Sequence, residues 1–226
     1  MKSRVCKRLL AAALACLFLP ACQSQEQPEQ TPAGFTASFA AAVSSGDEKA
    51  LAAYQGNTYQ LNARVDGILP GEGVSIRCPG KARITAALPQ EELEGLQVNE
   101  VIALEGTVKE VAAQSNGLTE MVLDPAHVAG KEFEITGKVE KIFHDWERDG
   151  QDYAALWDST VVESRQVNVY LPQGHEVQEG DTITARGALF APADLGELSI
   201  GFLPGNQSAA VFLMYEPNSV QKEVRE

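Results

Sequence analysis

Six residues of this chain could bring aromatic rings and positive charge to one place. Trp146, Tyr153, Trp157 and Tyr170 supply the rings, and Arg148 and Arg165 supply the cations. Tyr153 and Trp157 sit two pleats apart in "DYAALWD" (152–158), so in a strand their rings share one side. If Val167, Val169 and Leu171 of "QVNVYL" (166–171) turn towards a core, Tyr170 turns the other way and joins them. Exposed rings beside guanidinium groups stack on planar or sugar-like ligands and hold cations nearby. The competing reading is that the rings fill a core or a domain interface, where Trp and Tyr are mostly found.

Nothing else in the sequence points to chemistry. "DWERDG" (145–150) imitates the start of a calcium-binding loop, but the twelfth position is Leu156, where a bidentate Glu is needed. Asp149-Gly150 between apolar runs reads instead as a hairpin turn. His127, His144 and His175 are far apart and none has metal-ligand spacing with another His or Cys. No nucleophile elbow, zinc-protease motif or phosphate-cradling glycine loop occurs. Cys78 has no second Cys or His near it in sequence and reads as a small buried hydrophobe. The expectation is a protein without enzymatic activity, cofactor or metal.

The front of the chain supplies an address. Lys2, Arg4, Lys7 and Arg8 precede the apolar run "LLAAALACLFL" (9–19), which is too short to stay in a bilayer as a helix. It ends in "LPAC" (19–22), which resembles the lipobox of bacterial lipoproteins. That resemblance implies a signal peptide over residues 1–21, with Cys22 taking diacylglycerol and fatty acyl chains such as palmitate. Residues 22–34 continue as "CQSQEQPEQTPAG", too polar to fold and suited to a flexible tether. The expected place is the outer membrane facing the periplasm in a Gram-negative host, helped by Gln23 after the cysteine, or the cell surface in a Gram-positive one. The first 22 residues hold four of the 18 basic residues and none of the 31 acidic ones, so the rest carries a net charge of −17. Such a field repels nucleic acid instead of recruiting it.

The elements that must carry the ring residues repeat. "GNTYQLNARVDGI" (56–68) returns as "GKEFEITGKVEKI" (130–142), and "LQVNEVIALEGTV" (96–108) as "VQEGDTITARGAL" (177–189). Two blocks in the same order argue for duplication of a whole domain. Within each copy the period is two: Tyr59, Leu61, Ala63 and Val65, then Phe133, Ile135, Gly137 and Val139, face one way. Further strands are predicted at 74–77, 82–88, 101–108 and 118–123, then at 152–158, 166–171, 182–190 and either 197–202 or 209–215. Helical periodicity is confined to 35–54, broken near Gly46, with Asp47 placed to cap a second short helix. "DPAHVAG" (124–130) reads as a short joint, which would hold the two copies in fixed contact.

A helix ending in "LAAYQGN", a strand of the "YQLNARV" kind and then "VIALEGTV" are similar to the tRNA-anticodon-binding-like OB-fold family of exported or lipid-anchored bacterial proteins. The resemblance implies a mainly β chain of two tandem five-stranded OB-fold barrels after a short helical segment. The copies would span 35–127 and 128–216, with a polar tail over 217–226. OB folds bind ligands on the face of their second and third strands, which in the second copy is the face bearing the rings. The expected function is a lipid-anchored envelope protein that binds a glycan, a peptide or another envelope protein. The alternatives are a single-stranded nucleic-acid binder, which the charge opposes, and an enzyme whose site the sequence hides.

Overall fold

The computed structural model describes residues 31–145, 150–158, 160–161, 165–191, 211–214 and 217–223, with the backbone alone at 145, 158, 165 and 211. The predicted helical stretch is two helices, α1 (Phe35–Ser45) and α2 (Glu48–Ala52). Gly46 ends the first at φ 65°, a left-handed stop that costs glycine little. Asp47 caps the second, its Oδ1 accepting from the N–H groups of Lys49 and Ala50 at 3.0 Å. Phe35 and Phe39 of α1 are fully buried and pack their rings against Tyr54, and Phe35 also meets Tyr59.

The chain is mainly β. β1 (Thr58–Leu69), β2 (Gly73–Arg77), β3 (Ala82–Ala87), β4 (Glu100–Ala113) and β5 (Thr119–Gly130) form a closed five-stranded barrel, with a short α3 (Gln90–Leu93) before β4. The strands pair in the order β1-β2-β3-β5-β4, and β4 pairs back onto β1. β3 and β5 run parallel, and the barrel is consistent with an OB fold. Its core is the alternation expected of β1 (Leu61, Ala63, Val65), met by Ile76, Ile84, Ile102, Leu104, Met121 and Leu123.

β6 (Glu132–Asp145), β7 (Gln151–Asp158), β8 (Arg165–Tyr170), β9 (Thr182–Phe190) and β10 (Val211–Met214) follow. β6 pairs β7 antiparallel up to Asp145 opposite Gln151, so the two strands form a hairpin, and residues 146–149 of "DWERDG" lie outside the described residues. β7 pairs β8, β8 runs parallel to β10, and β9 pairs β6. β9 meets β10 at one pair, Leu213 with Phe190. The reason is β11 (Ser219–Lys222), which the polar tail expectation did not foresee. β6 takes one edge of β9 over 182–188, and β11 takes the other over 183–186.

Where two tandem barrels in fixed contact were expected, the eleven strands of the described residues make one sheet. The join is β4 with β9, Glu100 opposite Phe190 and Val101 opposite Leu189. β4 serves both halves because its two faces are both apolar there. Ile102 and Leu104 enter the first core, while Val101 and Ala103 pack in the second with Ile135, Leu156 and Val169. Residues 124–130 are not a joint but the end of β5, which passes through Lys131 directly into β6. Two polar contacts lock the halves further: Asn62 Nδ2 donates to the Val161 carbonyl at 2.9 Å, and the Ala191 N–H donates to the Asn99 carbonyl at 2.8 Å.

Candidate functional site

Alternation along β7 and β8 decides which side chains leave the core. Ala154, Leu156, Val167, Val169 and Leu171 are core residues of the second half. Their neighbours Tyr153, Ala155 and Trp157 on β7, and Gln166, Asn168 and Tyr170 on β8, therefore face the opposite side. The register aligns them in rows: Phe143 with Tyr153 and Tyr170, Lys141 with Ala155 and Asn168, and Trp157 with Gln166. The first row is a run of rings. Phe143 stacks on Tyr153 with centroids 5.2 Å apart, and Tyr153 meets Tyr170 at 5.5 Å. The Lys141 ammonium lies 5.3 Å from the Phe143 ring centre, a cation–π contact at the border of the face.

The expected exposed ring cluster is only partly there. Tyr153 and Tyr170 point away from the second core, but they are 6% and 4% exposed. Cross-strand neighbours of this size cover one another, so each ring uses up the face that a ligand would need. Trp157 lies four residues further along β7 from Tyr153, and it is 45% exposed. Beside it, Gln166 Nε2 donates to Asn168 Oδ1 at 2.9 Å, which orients a pair of amides next to the indole. Arg165 is opposite Asp158 at the start of β8, where only the backbone is described. Trp146, Arg148 and Cys22 lie outside the described residues.

Sequence reasoning passed over a cluster that the fold assembles at the end of β7. His144 Nδ1 is 2.6 Å from Asp152 Oδ1, and His175 Nε2 is 3.1 Å from Asp152 Oδ2. The Val177 N–H donates to His175 Nδ1 at 3.2 Å, so neutral His175 carries its proton on Nε2 and donates it to Asp152. The hydrogen bonds from His144 and His175 hold the Asp152 carboxyl below its ordinary value of 3.8. His144 also lies over the hairpin glycine: a Cβ on Gly150 would come within 2.9 Å of His144 Nε2. Half of the cluster was legible, because a hairpin over 145–151 puts residues 144 and 152 opposite each other. His175 arrives from the β8–β9 connection, and no local signal marks it.

The cluster ties the β6–β7 hairpin to that connection. Both carboxylate oxygens are engaged by imidazoles, and among the described residues no group of three or more His, Cys, Asp or Glu is placed to hold a metal ion. Cys78 is partly buried, and desolvation pushes its thiol up to about 12, which keeps it protonated and unreactive at neutral pH. Among the described residues no helix is long and apolar enough to cross a membrane. Compared with known proteins, the chain matches no protein-family model, no curated protein and no solved structure.

Proposed function

We propose that this chain is a lipid-anchored bacterial envelope protein whose tandem OB folds act as a non-enzymatic binding module. The observation that carries the reading is Trp157. A large indole, 45% exposed, stands on the outer side of β7 beside the Gln166–Asn168 amide pair. An exposed ring next to oriented amides offers stacking and directional hydrogen bonds together, which suits a sugar ring or a peptide group. The ring row Phe143–Tyr153–Tyr170 stiffens the strands beneath, so little ordering is left to do when a ligand arrives. A second OB fold is supported by the order of pairing, since β6-β7-β8-β10-β9 with β9 back on β6 repeats that of β1 to β5. The ligand classes are a glycan, a peptide or an envelope protein.

The test is binding to glycan and peptide arrays, followed by calorimetry on the hits with wild type and Trp157→Ala. Binding that survives unchanged in a folded Trp157→Ala protein would remove the face from consideration. Retention by single-stranded oligonucleotides at physiological salt would instead favour the nucleic-acid reading over the net charge. The anchor is tested by Cys22→Ala, which should leave the membrane fraction and escape lipobox processing.

A further inference from the structure

We propose that the outer side of β1, β2 and β3 is a second site, which binds the oxyanion group of a small ligand, a phosphate or a carboxylate. It lies on strands of the first half, and it stands whether or not the reading of the Trp157 face does.

Three arginines form one row across these strands. Val65 pairs with Ile76, so one residue further on Arg64 comes beside Arg77, and Arg77 pairs directly with Arg83. Val65, Ile76 and Ile84 are core residues, so all three guanidinium groups point outward. Like charges opposite one another on neighbouring strands repel. The repulsion registers on Arg64, whose pKa is lowered first by its partial burial and next by Arg77.

The fold compensates this charge incompletely. Asp66 Oδ1 takes Arg77 Nε at 2.7 Å. Arg64 has a neutral acceptor, Asn99 Oδ1, with its Nε at 3.1 Å. Glu120 stands opposite Arg83 on β5, but its oxygens accept from Thr85 Oγ1 at 2.6 Å and Gln114 Nε2 at 3.1 Å. No hydrogen bond or ion pair joins the Arg83 guanidinium to any described residue. Three cations thus face one carboxylate that is ion-paired with them.

The placement runs against composition. The whole chain has a net charge of −13. Arg64, Arg77, Arg83 and Arg186 are the arginines whose side chains are described, and the first three share this row. A guanidinium presents a planar fork of donors that matches carboxylate and phosphate oxygens, and it keeps its charge at any working pH. An oxyanion between Arg77 and Arg83 would turn their repulsion into two charge-assisted contacts.

The experiment is thermal unfolding of the intact protein with inorganic pyrophosphate and with citrate, each against sodium chloride at equal ionic strength. A ligand that binds only the folded form raises the melting temperature saturably. A saturable rise with pyrophosphate alone supports a phosphate ligand, with citrate alone a carboxylate ligand, and with both a general oxyanion site. Arg83→Gln should fold, melt no lower than wild type in chloride because a repulsion is gone, and weaken the anion at least tenfold. Arg186→Gln, a distant surface change, should keep the full effect. No rise beyond that of chloride, or an undiminished rise in Arg83→Gln, overturns the proposal.

Discussion

Leu156 and Trp157 are adjacent in β7, and their substitution by alanine tests the facing on which the candidate site depends. Leu156 is 1% exposed and lies in the second core, against Gly137 of β6, where an added Cβ would meet Leu156 Cδ1 at 2.9 Å. Removing a buried leucine side chain costs about 2–5 kcal/mol, because the lost transfer energy is joined by the cavity left behind. Trp157 already exposes 45% of its surface, so Trp157→Ala leaves no closed cavity. Scaling the roughly 3–5 kcal/mol of a buried aromatic by what remains buried, and omitting the cavity, gives about 1 kcal/mol. For a protein of this size, 1 kcal/mol corresponds to about 2–4 °C in melting temperature. Leu156→Ala should therefore lower the melting point several times further than Trp157→Ala. The assay is thermal and urea unfolding followed by far-ultraviolet circular dichroism. Gly137→Ala refines it: the new methyl has no room in wild type, and Leu156→Ala removes its closest obstacle. The double variant should be less destabilised than the two single losses added together. Equal losses at 156 and 157, or a larger loss at 157, would refute the facing and with it the site.

The acid limb of stability should carry the signature of Asp152. Its folded pKa lies below the unfolded value near 3.8, so its contribution is complete above that value and is lost as pH falls through the folded one. Urea midpoints from pH 2 to 7 should fall less steeply at the acid end for Asp152→Asn than for wild type, and parallel curves would contradict the geometry. Asn99 holds φ 72° while it accepts from Arg64 and Ala191, so Asn99→Ala should cost about 1–2 kcal/mol in backbone strain alone. Asn99→Gly should recover part of that loss, and denaturant unfolding of the three proteins decides. Gly73→Ala should prevent folding of the first barrel, since the new Cβ would sit 1.8 Å from the Ala86 carbonyl oxygen at φ 148°; a native-like dichroism spectrum would refute this. Cys78 should resist iodoacetamide in the native protein at pH 8 and react once urea unfolds it, because its thiol is held near 12. Mass spectrometry reads the modification.

Local pattern determined a good deal of this protein. The period of two set which way Tyr59 to Val65 and Phe133 to Val139 face, and the capping oxygen of Asp47 and the stop at Gly46 placed two helices. Asp149-Gly150 between apolar runs placed the hairpin. The two copied blocks marked corresponding strands, which the structure pairs alike, β1 with β4 and β6 with β9. These are properties of neighbours along the chain, where backbone geometry and side-chain alternation act within a few residues. What lies beyond a face is another matter. Periodicity turned Tyr153 and Tyr170 away from the core, but only the register across β6, β7 and β8 buried them against each other and left Trp157 in solvent. Only the pairing of β4 with β9 showed that the two faces of "VIAL" (101–104) feed two cores. The meeting of His144, Asp152 and His175 and the alignment of Arg64, Arg77 and Arg83 arise the same way. They join residues distant along the chain, through contacts that exist only once strands have paired and the sheet has closed.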